Sequence, residues 1–373
     1  RALAARFGSE GVMLDHSRFM DIDRMENEKE LRELLGPEST VTNGKRPRLK
    51  IVVGTQVLEQ SLDIDFDLLV TDIAPVDLVL QRLGRTHRHH RGEGECDRPA
   101  SLRAATCYVR GVTSFGDKGP DFAKGIANVY DQATLTESLA ILGLYDRGAR
   151  ASIALPHDIP RLVRTAYSDD VQQSIPDSWS EEYARQRAKR EEKVASKVQR
   201  AQTCLLVELT RAIEEKWTLV NLSDQTHSAA DDPQDTDRGQ RAVRDTQETV
   251  EVLLVRKVPE GGISLLPWVG GRGVKRGEEL PTDCEPSRDQ SVLLAQCAVR
   301  LPLSVCSLQK IDACIEELEN GCGMYVRCWQ ESPWLAGRLL LPMDEPEPGF
   351  FETELLGKRL RYTHCEGFST ADG

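Results

Sequence analysis

The feature that most constrains the fold is the alternation of two hydrophobic periods over the first 115 residues. "GVMLDHS" (11–17), "LKIVVGTQV" (49–57) and "FDLLVTDI" (66–73) are short, apolar and rich in β-branched residues, as buried strands are. Between the first two, "DIDRMENEKELRELLG" (21–36) places Met25, Leu31, Leu34 and Leu35 behind Asp21 and stops at Gly36-Pro37, the pattern of one helix. "PVDLVLQRLG" (75–84) opens on a proline where a helix tolerates it, and "ATCYVRG" (105–111) closes the series. Strand and helix in turn, joined by short loops, predict a parallel sheet covered by helices over residues 1–115.

The character then changes. Residues 116–221 carry helical patterns, in "IANVYDQATLTESLAILGLY" and in a long charged run from Ser178 to Lys216, joined by "LPHDIPRLVRTAY". The acids and bases of that run are interleaved, so it reads as a solvated helical face rather than a nucleic-acid-binding one. Residues 222–247 are polar and aperiodic and are expected to form a mobile loop. From 248 to 373 a small strand-rich α+β domain is expected. "TVEVLLVRK" and "GISLLPW" form a hairpin signal around "VPEGG", and "SVLLAQCAVRLP", "MYVRCWQ", "AGRLLLPM", "FFETELLG" and "KRLRYTH" read as further strands. "SLQKIDACIEELEN" reads as one helix, ended by Gly321.

Composition narrows the chemistry. A formal net charge of -12 excludes a protein whose whole surface coats nucleic acid, but leaves room for a local basic groove. The 10 cysteines include no C-x-x-C pair, so they read as small buried hydrophobes of a reducing cytoplasm, not as a zinc or disulfide framework. No apolar run approaches the roughly 18 residues of a membrane span, and no secretory leader pattern is present. The first strand signal follows almost directly on Arg1, which reads as entry partway through a domain.

Two motifs carry chemistry. In "VVGTQVLEQSLDIDFD" (52–67) a strand runs into Gly54-Thr55 at its carboxyl end, the edge where open parallel sheets bind ligands. Thr55 and Gln56 offer hydroxyl, amide and backbone donors to phosphate oxygens, and Asp63 can accept from a ribose hydroxyl or orient an arginine. Read alone, this stretch is equally well a strand, a turn and two loop carboxylates. In "QRLGRTHRHHRG" (81–92) Arg82, Arg85, Arg88 and Arg91 fall within ten positions, and Gln81, Arg85 and Arg88 repeat at helical spacings. Guanidinium forks there suit a polyphosphate better than solvent. His87, His89 and His90 lack a carboxylate-bearing metal pattern and are read as neighbours only, so no metal site is expected in this chain.

In this order and about 25 residues apart, the motifs are similar to motifs V and VI of superfamily 2 helicases, and "LDHSRF" (14–19) is similar to motif IV. The run "TQVLEQSLDIDFDLLVTDIAPVDLVLQRLGRTHRH" resembles, nearly residue by residue, the helicase-nuclease of type I CRISPR interference systems. It shares Gln56, Glu59-Gln60-Ser61 and the D-hydrophobic-D-F-D register. The resemblance is strong over 12–91 and looser beyond. It implies a second RecA-like domain (1–115), a helical linker (116–221) and an accessory C-terminal domain (248–373).

The resemblance further implies ATP and Mg²⁺ as cofactors, held mainly by a first RecA-like domain, and a nuclease metal in an N-terminal domain. It implies single-stranded DNA, an RNA-guided surveillance complex and the N-terminal half of the same protein as partners. Arg85 and Arg88 would be arginine fingers, and Gln81, Arg82 and Asp63 nucleotide ligands. Ser17, Arg18, Thr55 and Gln56 would contact the DNA backbone. These 373 residues contain no G-x-x-x-x-G-K-[ST] loop and no D-E-x-H box, so the chain alone is expected not to turn over ATP. A non-catalytic module that binds the surveillance complex would have no need of "QRLGRTHR". A generic superfamily 2 RNA helicase would lack the "EQSLDIDFD" register.

Overall fold

The computed structural model describes residues 1–59, 62–203, 249–259, 261–271 and 273–370. The loop expected at 222–247 and the last part of the long predicted helix lie outside the described residues. In chain order there follow α1 (Ala2–Phe7), β1 (Val12–Asp15), α2 (Asp21–Leu35), β2 (Ile51–Gly54), β3 (Leu68–Asp72) and α3 (Val76–Leu83). Next come β4 (Thr106–Arg110), β5 (Val112–Gly116), β6 (Gly119–Phe122), α4 (Lys124–Ala127), α5 (Gln132–Ile141), α6 (Ile159–Ala166) and α7 (Ser180–Thr203). The remainder is β7 (Glu251–Lys257), β8 (Ile263–Ser264), β9 (Glu279–Leu280), α8 (Arg288–Ala295), β10 (Ala298–Arg300), α9 (Ile311–Trp329), β11 (Leu339–Glu347), β12 (Phe350–Leu355), β13 (Lys358–Thr363) and β14 (Gly367–Thr370).

These elements cluster into two compact units, each discontinuous in sequence. One comprises Arg1–Leu68, Arg85–Ala105 and Gln247–Gly373, the other Leu69–Gly84 and Thr106–Thr246. The units do not follow the cuts expected at 115 and 247. The described C-terminal residues group with the first 68, because the core of the C-terminal sheet includes Met20 and packs Ile22 against its edge.

In the first unit β1 and β2 pair in parallel, Val12 opposite Ile51 and Asp15 opposite Gly54. α2 covers them: Leu31 and Leu35, one helical turn apart, meet Met13, Leu62 and Ile64 in a dry cluster. The same unit carries a mixed eight-stranded sheet ordered β14-β13-β12-β11-β7-β8-β9, with β10 also on β7. β7 and β11 are parallel neighbours, while β12, β13 and β14 form an antiparallel meander. Four consecutive residues of β7, Val252 to Val255, are buried, as a strand covered on both faces requires.

Two strand expectations in this region are corrected. "SVLLA" belongs to α8, because Ser287 and Gln290 form a reciprocal capping box that starts a helix just before the apolar run. "MYVRCW" is the last part of α9, which runs through Gly321 to Trp329. Cys314, Leu318 and Trp329 are all in the core. Burial along that seam outweighs the roughly 1 kcal/mol a mid-helix glycine costs.

The second unit holds β3 on β4, the β5–β6 hairpin and the helices α3 to α7. The hairpin was not expected from sequence. α5 is buried almost all round, with Asp131 capping its start by accepting from the Thr134 N–H at 2.9 Å. Most of α7 is solvated, as its charge pattern predicts, but Arg190 forks onto Glu137 of α5 at 2.8 and 2.9 Å. Among the described residues the strands of the amino half form separate two-stranded sheets, β1–β2 being parallel, and not a single continuous sheet.

Candidate functional site

β1 and β2 end side by side, and the Thr55 N–H donates to the Asp15 carbonyl at 3.2 Å. Just past these ends stand Ser17, Arg18, Thr55 and Gln56, all exposed. The sequence motifs at 14–19 and 52–56 therefore share one sheet edge, as expected for a ligand-binding rim. Gly54 is closely approached: a Cβ there would press on the Leu58 side chain and lie 3.0 Å from the Asp15 carbonyl oxygen.

Asp15 was not singled out in the sequence, yet it is the unusual group on this edge. It is 0% exposed, and neither carboxylate oxygen has a hydrogen-bond partner. Burial first, then the Glu28 charge, push it up to about 6 against the pull of Arg24. A raised acid pKa means the fold binds this proton more tightly than the unfolded chain, whose value is about 3.9. Stability linked to Asp15 is therefore fully present below that value and lost as pH rises through about 6. Asp15→Asn is expected to raise the melting temperature at pH 7 and to flatten the gain seen on acidification to pH 5. Thermal melts at both pH values check this, and an unchanged pH response would remove Asp15 from the account.

The three carboxylates of "LDIDFD" do three different jobs. Asp63 is at the surface, where Arg88 Nε donates to its Oδ1 at 2.6 Å and His89 Nε2 lies 3.0 Å from the same oxygen. The Arg88 hydrogen bond is the main reason Asp63 sits below the ordinary carboxylate range. Both side chains stay open to water, Arg88 at 42% and Asp63 at 51%. Such an exposed pair adds little to folding and is readily exchanged for a better anion.

Asp65 is fully buried and accepts from Arg91 Nε at 2.7 Å and Arg98 Nη2 at 3.1 Å. Burial alone would push it up, but Arg98 and Arg91 together hold it below the ordinary value. Asp67 accepts from Arg46 at 2.7 Å and from Arg98. Arg91 also donates to the carbonyls of Gly36 (3.0 Å), Ser39 (2.6 Å) and Pro37 (3.3 Å), which tie off the end of α2.

The arginine cluster of the sequence is thus divided. Arg91 finds its negative partner inside the protein. Arg85 is half-buried, donating to the carbonyls of Leu62 and, at 3.2 Å, of Glu59, while its Nε is buried without a partner. Burial and then the Arg88 charge lower its pKa, against Asp63. Backbone bonds from Phe66 N–H to Arg85 O (2.8 Å) and His87 N–H to Phe66 O (3.0 Å) lock the two motif segments together.

Gln81 and Arg82 lie on α3 in the second unit. Gln81 is exposed. Arg82 donates to Thr71 Oγ1 (2.8 Å), Asp72 O (3.0 Å) and Tyr130 Oη (3.4 Å), fastening α3 to β3. Of the expected residues, the structure brings Asp63, Arg85 and Arg88 together, and separately Ser17, Arg18, Thr55 and Gln56. What the sequence reading missed is the Asp65–Arg91–Arg98 network that holds the arginine segment in place. The only sign of it was charge balance, two further acids beside two further arginines.

Comparison with known proteins gives the family. Residues 1–91 match the family described as CRISPR-associated nuclease/helicase Cas3, C-terminal, and residues 244–368 match the Cas3 C-terminal domain. The CRISPR-associated nuclease/helicase Cas3 of Streptococcus thermophilus is 32% identical over 343 residues, covering 91% of this chain and 33% of that protein. Among solved structures, T. fusca Cas3 with ATP shares the fold, at a TM-score of 0.70 and 23% identity over 99% of this chain and 36% of its own. A chain from a pre-nicking CRISPR RNA-guided surveillance complex matches at a TM-score of 0.63 and 23% identity, over 99% of this chain and 38% of its own. The chain spans about a third of the length of the relatives it matches. No helix among the described residues is long and apolar enough to cross a membrane. With both motifs in register and both family domains matched, the chain belongs to the CRISPR-associated Cas3 nuclease/helicases, as part of their C-terminal half.

Proposed function

We propose that this chain is the C-terminal part of an ATP-dependent single-stranded-DNA translocase and nuclease that degrades foreign DNA in CRISPR interference. The observation that carries the reading is the exposed Arg88–Asp63 pair beside an Arg85 braced on the backbone of the same site. Arg88 is 42% exposed and rests on a surface carboxylate that a phosphate could replace. The residues present fit an anion, since two guanidinium groups and one acid leave a net positive site. They do not form a metal-binding set there: the one such trio among the described residues is Asp23, Glu26 and His364, outside this site.

In the full-length protein, Arg88 would stabilise charge on the phosphoryl group being transferred from ATP. Arg85 would hold the Glu59 and Leu62 carbonyls while adding its own charge. Asp63 would release Arg88 and turn to the nucleotide. The triphosphate and Mg²⁺ would be held mainly by another RecA-like domain of the full-length protein, and the nuclease metal by its nuclease domain. Ser17, Arg18, Thr55 and Gln56 would grip the DNA backbone, a contact that is independent of sequence and sensitive to salt. A surveillance complex loaded on its target would be the partner that delivers the strand.

The test is ATP hydrolysis by the full-length protein with single-stranded DNA or RNA as activator. Strong activation by DNA and little by RNA is expected. Equal activation would favour a generic superfamily 2 RNA helicase, and none by either would favour a non-catalytic module.

A further inference from the structure

The loop between β1 and α2, His16 to Met20, carries Ser17 and Arg18, and much of what holds it comes from the C-terminal sheet. The Phe368 N–H of β14 donates to the Arg18 carbonyl at 2.8 Å. The Met20 N–H donates to the Tyr362 hydroxyl of β13 at 3.0 Å, and that hydroxyl donates in turn to buried Asp23. The other Asp23 oxygen accepts from Trp268 Nε1 at 2.9 Å. Phe19 and Met20 are 1% and 0% exposed, whereas Ser17 and Arg18 between His16 and this anchor are open to solvent.

The approach is close enough to require a glycine. Gly367 has φ +68°, and a Cβ there would lie 2.9 Å from the Arg18 carbonyl and 3.0 Å from His16 Cε1. His16 also stacks on Phe19, ring centroids 4.7 Å apart.

Resting on the reading of Ser17 and Arg18 as DNA-backbone contacts, we propose that Tyr362 is a positioning residue for DNA binding. Its hydroxyl bridges Met20 and Asp23 and so sets where Arg18 meets a phosphate. The C-terminal sheet is then a working part of the grip rather than only a cover over the DNA path. The groups around this bridge are Asp23, Glu26 and His364, whose Nε2 lies 3.8 Å from Asp23 and 3.6 Å from Glu26. Asp23 has both oxygens engaged by Tyr362 and Trp268, so the trio is a brace and not an open ligand set.

Tyr362→Phe removes the hydroxyl and keeps the ring. In the full-length protein it is expected to raise the single-stranded DNA concentration for half-maximal ATPase activation about tenfold, with turnover at saturating DNA and the KM for ATP unchanged. The slope of log affinity against log salt should fall by about 0.7, one lost phosphate contact, a change that lowered stability alone would not cause. Arg18→Ala should give the same two changes, and the double variant should be no worse than Arg18→Ala. Additive losses, or a Tyr362→Phe slope equal to wild type, would overturn the positioning role. An Arg18→Ala protein with normal DNA affinity would instead overturn the underlying grip. Gly367→Ala, which presses on the same loop from another contact, should reproduce the Tyr362→Phe slope, and an unaltered slope there would also count against the proposal.

Discussion

Arg88→Ala in the full-length protein is expected to lower kcat for ATP hydrolysis at least a hundredfold while leaving ATP affinity nearly intact. The argument starts from what Arg88 does when no phosphate is near. It rests on Asp63 with both side chains about half exposed, an arrangement that stabilises the fold by well under 1 kcal/mol. A guanidinium aimed at a phosphoryl group in transfer is worth about 10³ to 10⁵ in rate. Arg88→Lys should be nearly as slow, since a point ammonium lacks the planar fork. Steady-state hydrolysis together with nucleotide binding separates the outcomes. If binding and turnover fall together, Arg88 is a ground-state ligand and not a finger. Arg85→Ala is expected to slow turnover similarly but also to lower stability, because Arg85 holds the Leu62 and Glu59 carbonyls.

Asp65→Asn is expected to destabilise the chain by about 3–5 kcal/mol, the usual cost of leaving buried guanidinium groups without their counter-ion. Arg91, its side chain 1% exposed, would be stranded, while Arg98 would keep Asp67 and Glu95 as partners. Denaturant unfolding of this chain measures the loss directly, and a shift under 1 kcal/mol would show that the network is not the brace described. The sign with pH is also set. Asp65 is held below the ordinary carboxylate value, near 3.9 in the unfolded chain, so its stabilisation is present above that value and disappears as pH falls through the lower folded one. Acid sensitivity below about pH 4 should therefore be smaller in Asp65→Asn than in wild type. Loss of Asp65 should also slow ATP hydrolysis in the full-length protein, because Arg91 and Arg98 anchor the segment that carries Arg85 and Arg88.

These two residues mark the limits of reading the site from sequence. Arg88 and Asp63 lie in the two motifs that the family resemblance singles out, and the structure pairs them at the surface. Arg91 and Asp65 sit in the same two motifs with the same side-chain chemistry, and nothing local separates a buried ion pair from an exposed one. The second unit shows the same limit: Arg82, adjacent to Gln81, fastens α3 to Thr71 and Asp72. In α8 the Ser287–Gln290 capping box was present in the letters, but the apolar run after it suggested a strand. In α9 Gly321 suggested a stop, though the buried seam carried the helix onward.

The sequence by itself determined the strand–turn–helix order of the amino half and the two motifs that carry Asp63 and Arg88. Each depends on spacing along the chain, which periodicity and motif register report. Only the tertiary structure decided that residues 249–370 share a compact unit with the first 68, that Tyr362 holds the loop before α2, and that Asp65 is the counter-ion for three arginines. Those facts join residues up to 342 positions apart, where burial and counter-charge are set by which surfaces meet and no local pattern encodes the meeting.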